Sequence, residues 1–128
     1  MTDWTKKQER FLQYNIPTRL GHLATNLARI KSFCDDVTPE DVVASLFKES
    51  LYFIEWTVPN MVQIDIDQAS EIVDLGRTLT RWLFNWEKIR SDATALTQVH
   101  TEVSLWSQRV LDMSGLLSES TAISYSGV

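Results

Sequence analysis

Along this chain apolar residues recur three and four positions apart, the spacing that lines one face of an α-helix rather than the alternation of a strand. Only four glycines and three prolines interrupt the pattern. The reading is therefore all-α. A short amphipathic helix is predicted over residues 5–14, with Trp4, Phe11 and Leu12 available to pack. Pro17 ends it, because a proline drives the preceding Ile16 out of helical geometry. A second helix over 18–34 carries Leu20, Leu23, Leu27, Ile30 and Cys34 at intervals of 3, 4, 3 and 4, a packing seam. In VTPED, Thr38 is placed to cap, Pro39 suits the first helical position, and Glu40 and Asp41 complement the positive end of a helix. That third helix is predicted over 39–57, closed by Pro59. Its run LYFI makes it apolar around much of its circumference, which predicts burial on more than one side.

Asp65 or Asp67 is placed to cap a fourth helix with apolar positions Ile72, Leu75, Leu79, Trp82, Trp86 and Ile89. A fifth offers Leu96, Val99, Val103, Trp106, Val110 and Met113. Folding the chain back between Asp92 and Ala93 pairs the two series, Leu79 with Trp106, Trp82 with Val103, Trp86 with Val99, so that each tryptophan meets a smaller aliphatic residue. One continuous helix through residues 90–93 would instead put His100 and Ser107 in the seam. The phase break favours a turn, with Ser91 or Asp92 as the cap. The tail SESTAISYSGV, residues 118–128, is small and polar, with little to bury, and is expected to be flexible.

The stretch LTRWLFNWEKI poses the choice between a ligand-stacking surface and a packed seam. Trp82 and Trp86 fall on the face that the fourth helix needs for its partner, whereas Arg77, Arg81, Asn85 and Lys88 keep the other side wet. Packing is the favoured reading, since two tryptophans bury large areas. Gly76 sits inside the same helical run, where glycine costs roughly 1 kcal/mol relative to alanine, so something approaches the backbone there. The plainer account is a neighbouring helix or a ring such as Tyr52 or Trp56 lying over it; the functional account is a ligand or partner helix.

Length and composition narrow the class. A chain of 128 residues, 44% hydrophobic and 23% charged, is one globular domain, and no apolar run reaches the ~20 residues of a membrane span. No apolar segment follows the basic residues near the start, so the expected address is cytoplasmic. The net charge of −5 is uneven: residues 1–34 carry six Lys/Arg against two acids, residues 35–74 one against ten, and the remainder five against five. The basic start is expected to lie against the acidic middle, or two copies to meet head to tail. Six dispersed positive charges in a protein of pI near 4.9 argue against nucleic acid, and the short apolar face of residues 4–14 argues against a membrane surface.

The residues that carry chemistry are sparse. Asp65 and Asp67 open like a calcium loop, but Ser70 stands where an EF-hand needs glycine and Gly76 where it needs glutamate. His22, His100 and Cys34 are the only strong nitrogen or sulfur ligands, and neither histidine has the Glu three positions before it that a di-iron bundle uses. Cys34, the only cysteine, sits in an apolar seam where thiols are inert. Small helical ribonucleases set an Arg and a His a few residues apart on one helix; here Arg19 and His22 are too close, and Arg90 and His100 too far apart. No cofactor or metal is expected.

The segments LGRTLTRWLFNWEKI and VSLWSQRVL resemble a group of small uncharacterised helical proteins of cyanobacteria. The resemblance covers the last two helices and implies no activity. The expected protein is a single domain over residues 1–117, an antiparallel up-and-down four-helix bundle with a short extra N-terminal helix. Its expected role is a non-catalytic interaction or scaffold module that self-associates. Tyr52 and Trp56, turned away from Phe47, Leu51 and Ile54, form the candidate partner face, to be met by the N-terminal helix or by another copy. The alternative is a small-molecule binder with an apolar pocket near Gly76, Trp82 and Trp86.

Overall fold

The computed structural model of the protein describes residues 3–115; the tail expected from residue 118 lies outside them. The described residues form five α-helices and no strand: α1 (Trp4–Leu12), α2 (Ile16–Phe33), α3 (Glu40–Val62), α4 (Ile66–Arg90) and α5 (Ala93–Ser114). Four of the five begin with a carboxylate or amide that accepts otherwise orphaned backbone N–H groups. Asp3 accepts from Lys6, Asn15 from Thr18, Asp65 from Gln68, and Asp92 from both Thr94 and Ala95. The predicted break between α4 and α5 is present, with Asp92 as its cap.

Three boundaries differ from the sequence reading. Pro17 does not separate two helices; α2 starts at Ile16 with the proline in its first turn, where a missing N–H removes no hydrogen bond. Thr38 does not cap α3. Pro39 takes the cap position with extended backbone (φ −55°, ψ 139°), which leaves the threonine one residue too far out to reach the first free N–H groups. Nor does Pro59 close α3, which continues to Val62. Both Pro59 and Glu55, whose carbonyl loses its intrahelical donor to the proline, are exposed, so the broken rung lies on a wet side of the helix near its end.

The seams predicted for α2 and α4 are buried except at their last positions, Cys34 and Ile89, which are half-buried. Leu20, Leu23, Leu27 and Ile30 meet Val43, Phe47, Ile54 and Met61 of α3 and the α4 series in one core, completed by Val99, Val103 and Val110. Trp82 and Trp86 are each only 4% exposed, and the Trp86 ring lies 5.5 Å from Phe47, so LTRWLFNWEKI is a packed seam.

The expected pairing of α4 chiefly with α5 does not hold. α5 packs most extensively against α2 and α4 against α3, while α4 and α5 touch much less. A small residue lies in that α2–α5 contact. At Ala24 the α5 side chains reach the α2 backbone, and the Ser107 hydroxyl donates to the Ala24 carbonyl at 3.2 Å. Trp106, assigned to the α4–α5 seam, is only partly buried and carries the Arg109 guanidinium 5.3 Å from its ring centre. Further contacts tie α2 to its neighbours. His100 Nε2 lies 3.7 Å from Asp35 Oδ2, Asn26 donates to Glu49 Oε1 at 3.1 Å, and Arg19 donates to Asn60 Oδ1 at 2.8 Å. No described helix is long and apolar enough to cross a membrane.

Candidate interaction surface around α3

α3 has more apolar surface than the core takes up. Val43, Phe47, Ser50, Ile54, Thr57 and Met61 form its buried stripe, and Ser50, within it, turns its hydroxyl back to the Leu46 carbonyl at 2.8 Å. Leu51, Tyr52, Trp56 and Val58 lie outside that stripe and are half-buried, each on one of two flanks.

The first flank faces α1. Tyr52 and Trp56 are found here, and of the two covers expected for them the chain's own N-terminal helix supplies one. Ring centres of Trp4 and Tyr52 stand 4.6 Å apart, those of Tyr52 and Trp56 5.3 Å, and Phe11 stacks on Phe53 at 4.3 Å with planes 6° apart. Lys7 pairs with the Glu49 carboxylate, joining one charge of the basic start to one of the acidic middle. Burial pushes the Glu49 carboxyl up, but hydrogen bonds from Lys7 and Asn26 and the nearby charges of Lys7 and Arg29 outweigh it and hold it below the usual range.

A buried arginine fixes the corner. Arg19, 8% exposed, donates from Nε to the Tyr14 carbonyl at 2.9 Å and from its two terminal nitrogens to the Leu12 carbonyl at 3.0 Å and to Asn60 Oδ1. It thereby closes the carbonyls left open at the end of α1 and ties them to the far end of α3. Every buried side-chain nitrogen and oxygen among the described residues has a partner.

The second flank faces α4 and, among the described residues, has no cover. A groove of about 630 Å³ runs between Leu51, Ile54 and Val58 on α3 and Val73 and Gly76 on α4. Glu55 stands on one rim, Arg77 and Arg81 on the other. Gly76 forms part of its floor: a Cβ there would meet Ile54 Cγ2 at 3.6 Å, ordinary contact, so an aliphatic side chain and not Tyr52 or Trp56 lies over it. Four residues beyond Thr80 on the same helical face comes Phe84, 82% exposed. The sequence reading passed over Phe84; its signal was an aromatic residue off the apolar seam, among the basic positions of α4.

Gly76, Trp82 and Trp86 do not share a pocket. Gly76 lines the α3–α4 groove, Trp82 is in the core, and Trp86 backs a smaller cleft of about 250 Å³ at the end of the bundle with Phe33, Cys34, Arg90 and Leu96. Burial, reinforced by the neighbouring Asp35, pushes the Cys34 thiol up to about 11, so at neutral pH it is protonated and donates weakly to the Ile30 carbonyl. Among the described residues no three His, Cys, Asp or Glu side chains stand where they could hold a metal ion. Comparison with protein-family models, with curated proteins and with solved structures finds no match to this chain.

Proposed function

We propose that this protein is a non-catalytic interaction module whose working surface is the outer side of α3, and that self-association is the form its interaction takes. The observation that carries this reading is the apolar groove between α3 and α4, open among the described residues, with the exposed Phe84 one helical turn beyond Thr80 of its lining. Contiguous apolar surface rimmed by charge is the mark of a protein-binding face. The scaffold beneath it is an up-and-down antiparallel bundle of α2 to α5 with α1 as an appendage. Support for that topology comes from contacts that descend on one helix as they rise on the next: Arg19 with Asn60 and Asn26 with Glu49, Ala24 with Ser107 and Asp35 with His100, Phe47 with Trp86 and Ile54 with Gly76. Light scattering on the purified chain tests the reading. A concentration-dependent rise in mass from 14.7 kDa towards twice that value is expected, and a constant 14.7 kDa at high concentration defeats self-association.

A second reading rests on the cleft behind Trp86. Phe33, Val43, Trp86 and Leu96 give it apolar wall for a small ligand, with Asp35, Asp36 and Arg90 as its charged lining. An apolar or chromophoric ligand would then change the tryptophan emission of the wild type but not of a Trp86→Phe variant; equal responses from the two exclude this cleft.

A further inference from the structure

Resting on the interaction reading above, we propose that a second copy of this chain docks in the α3–α4 groove through a two-fold contact, with Phe84 of each copy entering the groove of the other. A two-fold interface sets one patch against itself, so the patch must hold both members of each complementary pair. This patch does so in shape and in charge. Its projection is Phe84 and its hollow lies over Gly76, eight residues or about 12 Å away along the same helix. An axis passing near Thr80, midway between them, carries each projection onto the other copy's hollow.

The charges follow the same rule. Arg77 is paired within its own chain to Asp74 at 3.5 Å, both exposed. Glu55 and Arg81 stand on opposite rims of the groove, yet among the described residues neither side chain has an ion pair or hydrogen bond. The rim is therefore neutral as a whole and carries one unmatched charge of each sign. A strongly acidic or strongly basic partner would leave one of them opposed, whereas a second copy matches Glu55 to Arg81 twice over. The flank facing α1 cannot serve in the same way, since Trp4 and Phe11 already occupy it.

Sedimentation equilibrium on the full chain tests the surface, with circular dichroism as the check on folding; Phe84, Arg81 and Glu55 are all exposed, so their variants should keep the fold. The wild type is expected to dimerise. Phe84→Ala should raise the dimer Kd about tenfold or more, as loss of a central aromatic anchor does. Arg81→Glu and Glu55→Lys should each dimerise poorly alone and recover association when mixed. A wild type that stays monomeric at about 1 mM, where any contact stronger than roughly 4 kcal/mol would show, overturns the self-association reading and this inference with it. A dimer indifferent to all three substitutions overturns the groove alone and moves the interface elsewhere. Weakening by each charge reversal without recovery on mixing overturns the two-fold pairing.

Discussion

The two flanks of α3 start from one property, a helix apolar around most of its circumference, and end differently. Towards α1 the chain supplies its own cover: a nine-residue helix brings Trp4 and Phe11 onto Tyr52, Phe53 and Trp56 and locks the arrangement with Lys7–Glu49 and Arg19. Towards α4 the lining is largely aliphatic, Gly76 contributes no side chain, and among the described residues Glu55 and Arg81 have no side-chain partner. The contrast teaches that excess apolar surface on a helix does not by itself mark an interface. The flank proposed above as an interface is the one on which, among the described residues, rings, caps and ion pairs from the same chain are missing.

Four changes would break or sharpen that contrast. The largest effect belongs beneath both flanks. Phe47 is fully buried against Trp86, and Phe47→Ala should cost about 3–5 kcal/mol in urea unfolding. A cost below about 1 kcal/mol, the size of a surface change, would mean that the flanks do not rest on a common core. Next is Arg19→Met, which strips donors from the Leu12 and Tyr14 carbonyls and from Asn60 and should cost roughly 2–3 kcal/mol. Hydrogen exchange should then accelerate in α1 and not in α4; equal acceleration in both would erase the distinction.

Glu49 gives a smaller effect with a definite sign. Its folded-state carboxyl titrates below its ordinary value of 4.5, so its stabilisation is complete above that pH and is lost as pH falls through the lower folded-state value. Glu49→Gln should remove about 1 kcal/mol at neutral pH and flatten the acid limb of the stability curve. An unchanged acid limb would place the proton uptake on other carboxylates. The smallest effect is a gain. With ordinary contact waiting for a Cβ, Gly76→Ala should stabilise the monomer by roughly 0.5–1 kcal/mol, read as a higher Tm, and a loss would show that the groove floor is tighter than its geometry indicates.

How far the sequence anticipated this molecule depends on what each residue's signal encodes. Periodicity reports which side of a helix is apolar, and it placed Leu20 through Ile30 and Ile72 through Trp86 inside. Cap chemistry is equally local, and Asp65 and Asp92 were readable for that reason. Prolines were read too strongly. Pro17 and Pro59 both sit inside helices, because a missing N–H matters little in a first turn or on a wet face near a helix end.

Neighbour choice was the harder matter. The matched spacing of α4 and α5 described two faces that both point to a common centre, not two faces pressed on each other. Nothing local in the sequence singled out the closer α2–α5 contact, in which Ser107 reaches the Ala24 carbonyl. The outer surface was partly legible. Tyr52 and Trp56 stood out as surplus to the seam, but nothing local distinguished cover by α1 from cover by another molecule, and Phe84 and Arg19 acquire meaning only from what lies, or does not lie, beside them.

The most extensive contact in the bundle joins its most distant members. Ser107 and Ala24 are 83 positions apart, and Leu20, Leu23 and Leu27 wait on α5 for part of their burial. During synthesis the chain is made at about 5–20 residues per second, so α2 is complete several seconds before its main partner exists. Until then the side of that stripe which α5 covers is open to water and to whatever else is near the ribosome. Closing so large a loop is an entropic barrier, lowered only as α3 and α4 dock first and shorten the effective span. A chain cut short before α5 would keep its helical periodicity in the first ninety residues and still leave exposed the apolar side of α2 that α5 covers, a hazard for aggregation.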